Sequence, residues 1–296
     1  MNESWMNSIS PYVRVAKVME SSLLAGEWLD QDHVYTYIDQ GEAEFFLNGV
    51  KFLVREGDVL LMHPCLPHII RSTSALPLVQ YIFHFDLYDN EDKSSSDQAD
   101  GLRPGIQDIM PSEMQLADIY PLSHLQLPDR IELKRKFMQL QKEMLDPTYG
   151  GVLINKSICL ELLFLFFRNQ NLSKGTEGKR TKGWPLIEGA IHHMHQCYQD
   201  PQLSNESISR HVGVTANHLS YVFKTQLGVT IHNYLKHVRI EQAKLRIIQG
   251  KQNLTEIAED VGFSSIHLFS RTFKTNVGVM PSKFAAMRSA LINKSQ

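Results

Sequence analysis

The spacing of hydrophobic and polar positions changes about halfway along the chain. Between residues 10 and 88 short apolar segments alternate with turn residues, and FFLNGVKFLV places Asn-Gly between two apolar runs. Asn-Gly in this setting is a strong signal for a β-hairpin. The segments VLLM at 59–62 and LPLVQYIFHFDLY at 76–88 predict further strands. Short strands separated by turns predict a β-sandwich or a small barrel.

From Pro128 onward the pattern has the period of a helix. Four apolar residues follow the i, i+4, i+7, i+11 spacing of one helix face: Leu133, Phe137, Leu140 and Met144. A second helix is predicted from about Leu153 to Arg168. Its apolar run ICLELLFLFF indicates burial in the protein, because it is far shorter than the ~20 residues needed to cross a bilayer.

Two polar segments interrupt these patterns. YDNEDKSSSDQADG at 88–101 is acidic and Ser-rich and predicts a mobile loop, and NLSKGTEGKRTKG at 171–183 is typical of a linker. We therefore predict an α+β multidomain chain. Its parts are a β-barrel domain at 1–127, a helical segment at 128–172, a linker at 173–183 and an all-α domain at 184–288.

The all-α part contains an internal repeat. ISRHVGVTANHLSYVFKTQLGVT begins at Ile208, and IAEDVGFSSIHLFSRTFKTNVGVM begins at Ile257. The second copy has one extra residue between its Val-Gly pair and its Phe-Lys-Thr triplet. Each copy predicts a helix, a turn with positive φ at Gly213 or Gly262, and a second helix.

The ends of the helices in this repeat can also be predicted. Thr215 and Ser264 are expected to cap the second helix of each copy, because their hydroxyls can accept free backbone amides. Between the copies one helix is predicted to end at Gly250 and to hold the two units at a fixed separation. One face of that helix is predicted to carry four apolar residues: Leu235, Val238, Leu245 and Ile248.

Charge divides the chain in the same way. Residues 179–296 hold 15 Lys and Arg against 7 Asp and Glu, a net charge of +8, whereas residues 1–178 carry −10. A basic carboxyl half predicts an anionic partner for that half.

The three cysteines are far apart, which predicts no disulfide framework and fits a cytoplasmic protein. The amino terminus has no basic patch followed by an apolar run, so no signal peptide is predicted.

The second copy of the repeat resembles the signature of the AraC/XylS family of transcription regulators. Its matching segments are I-A-x-x-V-G-F-S at 257–264, F-S-R-x-F-K at 269–274 and G-x-x-P-S at 278–282. The linking helix has the family's R-x-x-x-A pattern at Arg239 and Ala243. The resemblance covers about residues 184–288 and implies two helix-turn-helix units that enter successive major grooves of DNA, roughly 34 Å apart.

The resemblance also implies which residues face the DNA. Base contacts are expected from Asn217, Ser220 and Tyr221 in the first copy, and from His267, Leu268 and Arg271 in the second. Phosphate contacts, which position the protein without reading sequence, are expected from Thr215, Lys224, Thr255, Ser264 and Lys274. Each of these could instead be a solvated surface side chain. The first copy departs from the family at Tyr221, where Arg is common.

In the amino half, GDVLLMHPCLPH at 57–68 resembles the second conserved segment of cupins. The earlier stretch YIDQGEAEFFLNG lacks the His-x-His of metal-binding cupins, so we predict no metal, no other cofactor and no enzyme chemistry. The hypothesis for this domain is a pocket for a small polar effector such as a sugar. Its candidate residues, each of which could instead be a satisfied core residue, are Tyr37, Gln40, His68, Gln80 and His84.

These observations predict an effector-responsive transcription regulator that binds a double-stranded DNA operator. RNA polymerase is an expected partner, a membrane is not, and the helices at 130–168 are expected to form a homodimer or to pack on the barrel. The resemblance favours activation of a metabolic operon, although repression is equally compatible with the residues. Two alternatives stay open: a constitutive DNA-binding dimer with a purely structural barrel, and a cupin enzyme with a DNA-localising domain.

Overall fold

The computed structural model describes residues 3–21, 24–25, 30–88, 111–170 and 178–292. The chain divides into two compact units, Met1–Arg180 and Thr181–Gln296. Within the described residues no helix is both long enough and apolar enough to cross a membrane.

The first unit is built on two antiparallel five-stranded sheets, in the orders β1-β8-β3-β6-β9 and β10-β5-β4-β7-β2. Their strands are β1 (Tyr12–Ser21), β2 (Leu24–Ala25), β3 (His33–Gln40), β4 (Glu42–Leu47), β5 (Val50–Arg55), β6 (Asp58–Met62), β7 (His68–Ser72), β8 (Leu78–Asp86), β9 (Leu122–His124) and β10 (Lys179–Arg180). Asn48 and Gly49 join β4 to β5 with φ values of 42° and 78°, which confirms the predicted hairpin. Short 3-10 helices span Glu3–Asn7 and Pro111–Leu116.

Apolar side chains of both sheets meet in an inter-sheet core. Its members include Val34, Ile38, Phe45, Phe52, Leu60, Met62, Ile70, Leu78 and Ile82. The other face of the β1-β8-β3-β6-β9 sheet packs against helices α1 (Leu127–Leu145) and α2 (Gly151–Arg168). Tyr35 and Phe83 on that face stack with ring centroids 4.7 Å apart. One sheet is therefore covered on both faces.

Both predicted helices of this unit are confirmed, since Leu133, Phe137 and Leu140 are buried on α1 and seven residues of α2 are buried. The predicted loop at 88–101 lies, from residue 89 onward, outside the described residues, as do residues 171–177 of the predicted linker. The end of that linker differs from the prediction, because Lys179 and Arg180 pair with β5 as an added strand.

The second unit is all helical within its described residues. Its helices are α3 (Trp184–Cys197), α4 (Asn205–His211), α5 (Ala216–Leu227), α6 (Ile231–Gln249), α7 (Leu254–Asp260), α8 (Ile266–Val277) and α9 (Pro281–Ile292). Helices α4 and α5 form the first predicted unit, and α7 and α8 form the second. Helix α6 joins them and ends at Gly250 in a left-handed conformation, as predicted.

The predicted apolar face of α6 is wrong in its second half. Leu235 and Val238 are buried, but Leu245 and Ile248 are exposed. The buried positions there are Ile240, Ala243 and Ile247, which belong to the core of the second helix-turn-helix unit. The prediction of a single apolar stripe is wrong because α6 packs against both helix-turn-helix units and presents a different side to each.

Candidate nucleic-acid interface and polar barrel interior

Each helix-turn-helix unit turns at a glycine. Gly213 has φ +74° and Gly262 has φ +85°, as the repeat predicted. A Cβ on Gly213 would meet no atom within 4 Å, whereas one on Gly262 would clash with the Tyr198 carbonyl and lie 2.9 Å from the Gln199 carbonyl oxygen. The second turn is therefore restricted by packing as well as by backbone conformation.

This difference predicts unequal effects of alanine at the two turns. Gly213→Ala should lower the free energy of unfolding by about 1–3 kcal/mol, the strain of a left-handed non-glycine residue. Gly262→Ala should lower it by roughly a further 1–3 kcal/mol, because its methyl group enters occupied space. Urea denaturation of the two variants checks this, and equal losses of stability would contradict the packing argument.

The caps of the recognition helices align the two copies. Thr215 Oγ1 accepts the backbone N–H of His218 at 3.3 Å and caps α5, as predicted. In the second copy the cap is Ser265, whose Oγ accepts the N–H of Leu268 at 3.2 Å, so the predicted cap at Ser264 is wrong. The extra residue of the second copy lies before the cap and moves it by one position.

Aligned on these caps, the two recognition helices expose the same kind of surface. The second, sixth and ninth residues are Asn217, Tyr221 and Lys224 in α5, and His267, Arg271 and Lys274 in α8. All six side chains are exposed. The spacing i, i+4, i+7 places each set on one helix face, so each unit has a recognition stripe of these three residues.

Two of the predicted base-contacting residues face elsewhere in part. Asn205 Nδ2 donates to Ser220 Oγ at 2.8 Å, which ties α5 to α4. Leu268 is partly buried and packs against the core of the second unit. The position of α5 equivalent to Leu268 is the exposed His218, which the sequence interpretation did not single out.

The predicted phosphate-contacting residues all lie on the surface. They are Thr215, Lys224, Thr255, Ser264 and Lys274. Thr255 is the second residue of helix α7, and its backbone N–H donates to Asn253 Oδ1 at 2.9 Å. Hydroxyls near helix N-termini suit phosphate oxygens, and so do the lysine cations, which lie in the last turns of α5 and α8.

Arg239, the arginine of the R-x-x-x-A pattern, has a structural position. Its Nε donates to the Tyr198 carbonyl at 2.8 Å and its Nη2 donates to the Asp200 carbonyl at 2.7 Å. The guanidinium also lies 6.0 Å from the ring centroid of Phe263. It therefore fastens the segment after α3 to α6 and to the turn of the second helix-turn-helix unit.

In the β-rich unit, Met1–Arg180, three polar side chains face the inter-sheet core from β3 and β8. Thr36 lies between Val34 and Ile38, while Gln80 and His84 flank Ile82, and side chains two apart on a strand share a face. We call Thr36, Gln80 and His84 the polar row. Gln80 is 0% exposed, and neither its Oε1 nor its Nε2 has a hydrogen-bond partner among the described residues; the same holds for Thr36 Oγ1.

Two predicted pocket residues lie outside this core. Tyr37 occupies the opposite face of β3, where its ring meets that of Tyr81 at 5.8 Å within the core that packs on α1 and α2. Gln40 is exposed at the end of β3. The structure thus brings Gln80 and His84 to one strand face, with His68 facing them from β7, and separates Tyr37 and Gln40 from them.

His84 and His68 each contact a carboxylate. His84 Nδ1 lies 2.9 Å from Asp32 Oδ1, and His68 Nε2 lies 3.3 Å from Asp30 Oδ2. Burial lowers the pKa of the His84 imidazole, but its hydrogen bond to Asp32 and the charges of Asp32 and Asp30 outweigh burial and raise that pKa. The sequence interpretation missed both aspartates, because no motif links them to a histidine about fifty residues away.

Comparisons with known proteins identify a different family in each of the two compact units. The helix-turn-helix domain family matches residues 208–287, and the AraC-like ligand binding domain family matches residues 28–145. The HTH-type transcriptional regulator YfiF of Bacillus subtilis strain 168, itself uncharacterised, is 24% identical over 85% of this chain and 76% of its own length. An uncharacterised HTH-type regulator of Staphylococcus aureus strain COL is 30% identical over 48% of this chain, which spans only 22% of that relative. A solved AraC-type regulator from Chromobacterium violaceum is 29% identical over 35% of this chain and 92% of its own, with a TM-score of 0.34.

Proposed function

We propose that this chain, which belongs to the AraC family of transcription regulators, reads an operator through both recognition stripes and adjusts that binding when an effector occupies its ligand-binding domain. Its helix-turn-helix domain binds DNA, and its AraC-like domain binds a small molecule. The observation that carries the proposal is the identical placement of three exposed residues after each helix cap.

The two stripes differ in chemistry and so select different bases. Arg271 has the fork of donors that pairs with guanine O6 and N7, and the Asn217 amide matches adenine N6 and N7. His267 and Tyr221 occupy the remaining stripe positions, and Tyr221 offers an aromatic face and one hydroxyl. Lys224 and Lys274 sit at the end of each stripe and neutralise phosphates. We therefore expect an asymmetric site with unlike half-sites.

Selection from random duplex DNA tests this proposal. The purified chain should enrich sequences with two short conserved blocks about one helical turn apart, roughly 10 base pairs. A guanine should be conserved in only one block, the one read by α8. Enrichment of no sequence over the starting library would contradict sequence-specific binding.

For the effector, the polar row supports a small molecule that both donates and accepts hydrogen bonds, such as a sugar. An unpaired amide in a protein core costs about 1–3 kcal/mol, so its retention favours a role in binding. Gln80 offers both a donor and an acceptor, and His84 adds an imidazole nitrogen. His68 borders the site, because its two ring nitrogens face the Leu66 carbonyl and Asp30. The proposed site comprises the polar row.

Gln80→Leu separates this role from a structural one. The free energy of unfolding of this variant should rise by about 1–3 kcal/mol, because the change removes two unpaired polar atoms. It should also bind the effector at least about tenfold more weakly, as judged by calorimetry against the sugar that most raises the melting temperature of the wild type. Gln40→Leu is the exposed control. A loss of stability in Gln80→Leu would show that the amide is satisfied and would remove it from the site.

Helices α1 and α2 support a homodimer. They expose a set of apolar residues that includes Ile131, Met138 and Leu145 on α1 and Leu153, Leu160 and Phe164 on α2. The first three are seven residues apart, as are Leu153 and Leu160, and this spacing keeps side chains on one helix face. Exposed apolar patches of this kind mark protein interfaces. We propose that a second copy of the chain covers this face.

Regulation then follows from a shift between dimer arrangements. An effector that binds one arrangement more tightly raises its population and so changes how the two DNA-binding domains are presented. We propose activation of a metabolic operon through contact with RNA polymerase. A constitutive architectural role would be favoured instead if no small molecule changed operator affinity.

A further inference from the structure

We propose that Asp30, Asp32 and His84 bind a divalent transition-metal ion, with Zn²⁺ the best match to their chemistry. One ligand atom from each residue lies within 4.8 Å of the other two. The aspartates precede β3 and the histidine lies on β8, and the pairing of Val34 with His84 brings these segments together. The site rests on this cluster alone and stands whether or not the proposed effector response is correct.

The spacing of the cluster suits direct coordination. Two ligands that each bind zinc at 2.0–2.1 Å in a tetrahedral arrangement lie about 3.3 Å from each other. His84 Nδ1 and Asp32 Oδ1 are 2.9 Å apart, so a few tenths of an ångström of movement would admit an ion between them. The side chains therefore need little rearrangement.

A neighbouring histidine holds one of the carboxylates in place. His68 Nδ1 faces the Leu66 carbonyl at 2.9 Å, an acceptor, so this nitrogen donates. Its Nε2 faces Asp30 Oδ2 at 3.3 Å, and the side chain of His68 is almost completely buried. Because Nδ1 donates to Leu66, Nε2 can donate to Asp30 only when the ring carries both protons, and the resulting ion pair then orients this carboxylate.

Charge and ligand type also favour a divalent ion of intermediate softness. The side chains of Asp30, Asp32 and His84 are all largely buried, and two carboxylates in such a site need positive charge nearby. An imidazole nitrogen with two carboxylates suits zinc and its neighbours better than Mg²⁺ or Ca²⁺, which prefer oxygen alone.

The position of the site gives the ion a potential use. Three protein ligands leave a coordination position for a water molecule or another oxygen. Thr36, paired in register with Ile82, lies one step along the inter-sheet face from His84, and its Oγ1 has no partner among the described residues. The proposed metal site therefore adjoins the polar row, to which His84 itself belongs.

Metal content of the purified full-length chain tests the proposal without any effector. After chelation and dialysis, the wild type should take up one Zn²⁺ per chain by plasma mass spectrometry, and Zn²⁺ should raise its melting temperature. Asp32→Asn and His84→Gln should each bind Zn²⁺ at least about tenfold more weakly in calorimetry. His124→Gln is the matched control, because His124 forms a pair with Asp58 at 2.6 Å outside the cluster.

Three outcomes would overturn the metal site. The wild type could take up no Zn²⁺ beyond the His84→Gln level, the control could lose as much binding as the ligand variants, or all variants could retain it. None of these measurements involves DNA or effector, so a negative result for the metal site would leave the proposed regulatory function intact.

Discussion

Arg271→Ala should weaken operator binding by about 10- to 100-fold at matched salt, since a bidentate arginine–guanine pair contributes about 1–3 kcal/mol of discrimination. The side chain is exposed at the sixth position of α8, so its removal should leave folding unchanged. Binding to unrelated duplex DNA should fall far less. Fluorescence anisotropy with the selected operator and a scrambled duplex measures both affinities.

Lys274→Ala is the matched control for this variant, because Lys274 lies three residues further along the same stripe. It should weaken binding to operator and scrambled DNA alike and reduce the slope of log affinity against log salt by about 1. If Arg271→Ala behaved in the same way as Lys274→Ala, Arg271 would contact phosphate and the base-reading role would be lost.

The double variant Ile131→Glu, Leu153→Glu should convert the proposed dimer to a monomer. Both side chains are exposed, so charges there should leave the unfolding of the monomer unchanged but oppose apolar contact between two copies. Operator affinity should fall by about 10²- to 10⁴-fold, because two linked DNA-binding domains gain that much from joint binding. Sedimentation velocity and anisotropy measure the two effects.

Leu53→Glu is the control for the dimer prediction. Leu53 is 64% exposed on β5, close to the 63% of Ile131, but lies on a strand away from α1 and α2. This variant should remain dimeric with full operator affinity. A wild-type chain that sediments as a monomer at micromolar concentration, or a double variant that still dimerises, would contradict the proposed interface.

The sequence predicted well those features that depend on local chemistry. The Asn48–Gly49 turn requires two positive φ angles, and the repeat places a glycine at each helix-turn-helix turn. The buried face of α1 follows from simple periodicity at Leu133, Phe137 and Leu140.

Other features depended on tertiary packing that a local pattern does not contain. Six consecutive residues of β3 from His33 to Ile38 are buried, because the inter-sheet core covers one face and helices cover the other. With no alternation to read, the sequence could not tell that Tyr37 faces the helices and Thr36 the inter-sheet core. Ser264 and Ser265 are adjacent, and the sequence alone did not distinguish which of them caps α8.

The cluster of Asp30, Asp32 and His84 shows the same difficulty at a candidate site. The prediction of no metal rested on the cupin-like segment, where the His-x-His is missing. Strand register between β3 and β8 assembles the cluster, and register is not visible in motif spacing. Its histidine was singled out from the sequence, but for an effector pocket.

A footprint of the wild-type chain on its selected operator tests the central claim most directly. Hydroxyl-radical cleavage should show two protected blocks on one face of the duplex, centred about 10 base pairs apart for each chain, as expected for recognition helices in successive major grooves. Protection of a single block, or uniform weak protection that disappears equally for operator and scrambled DNA as salt rises, would contradict paired sequence reading by α5 and α8.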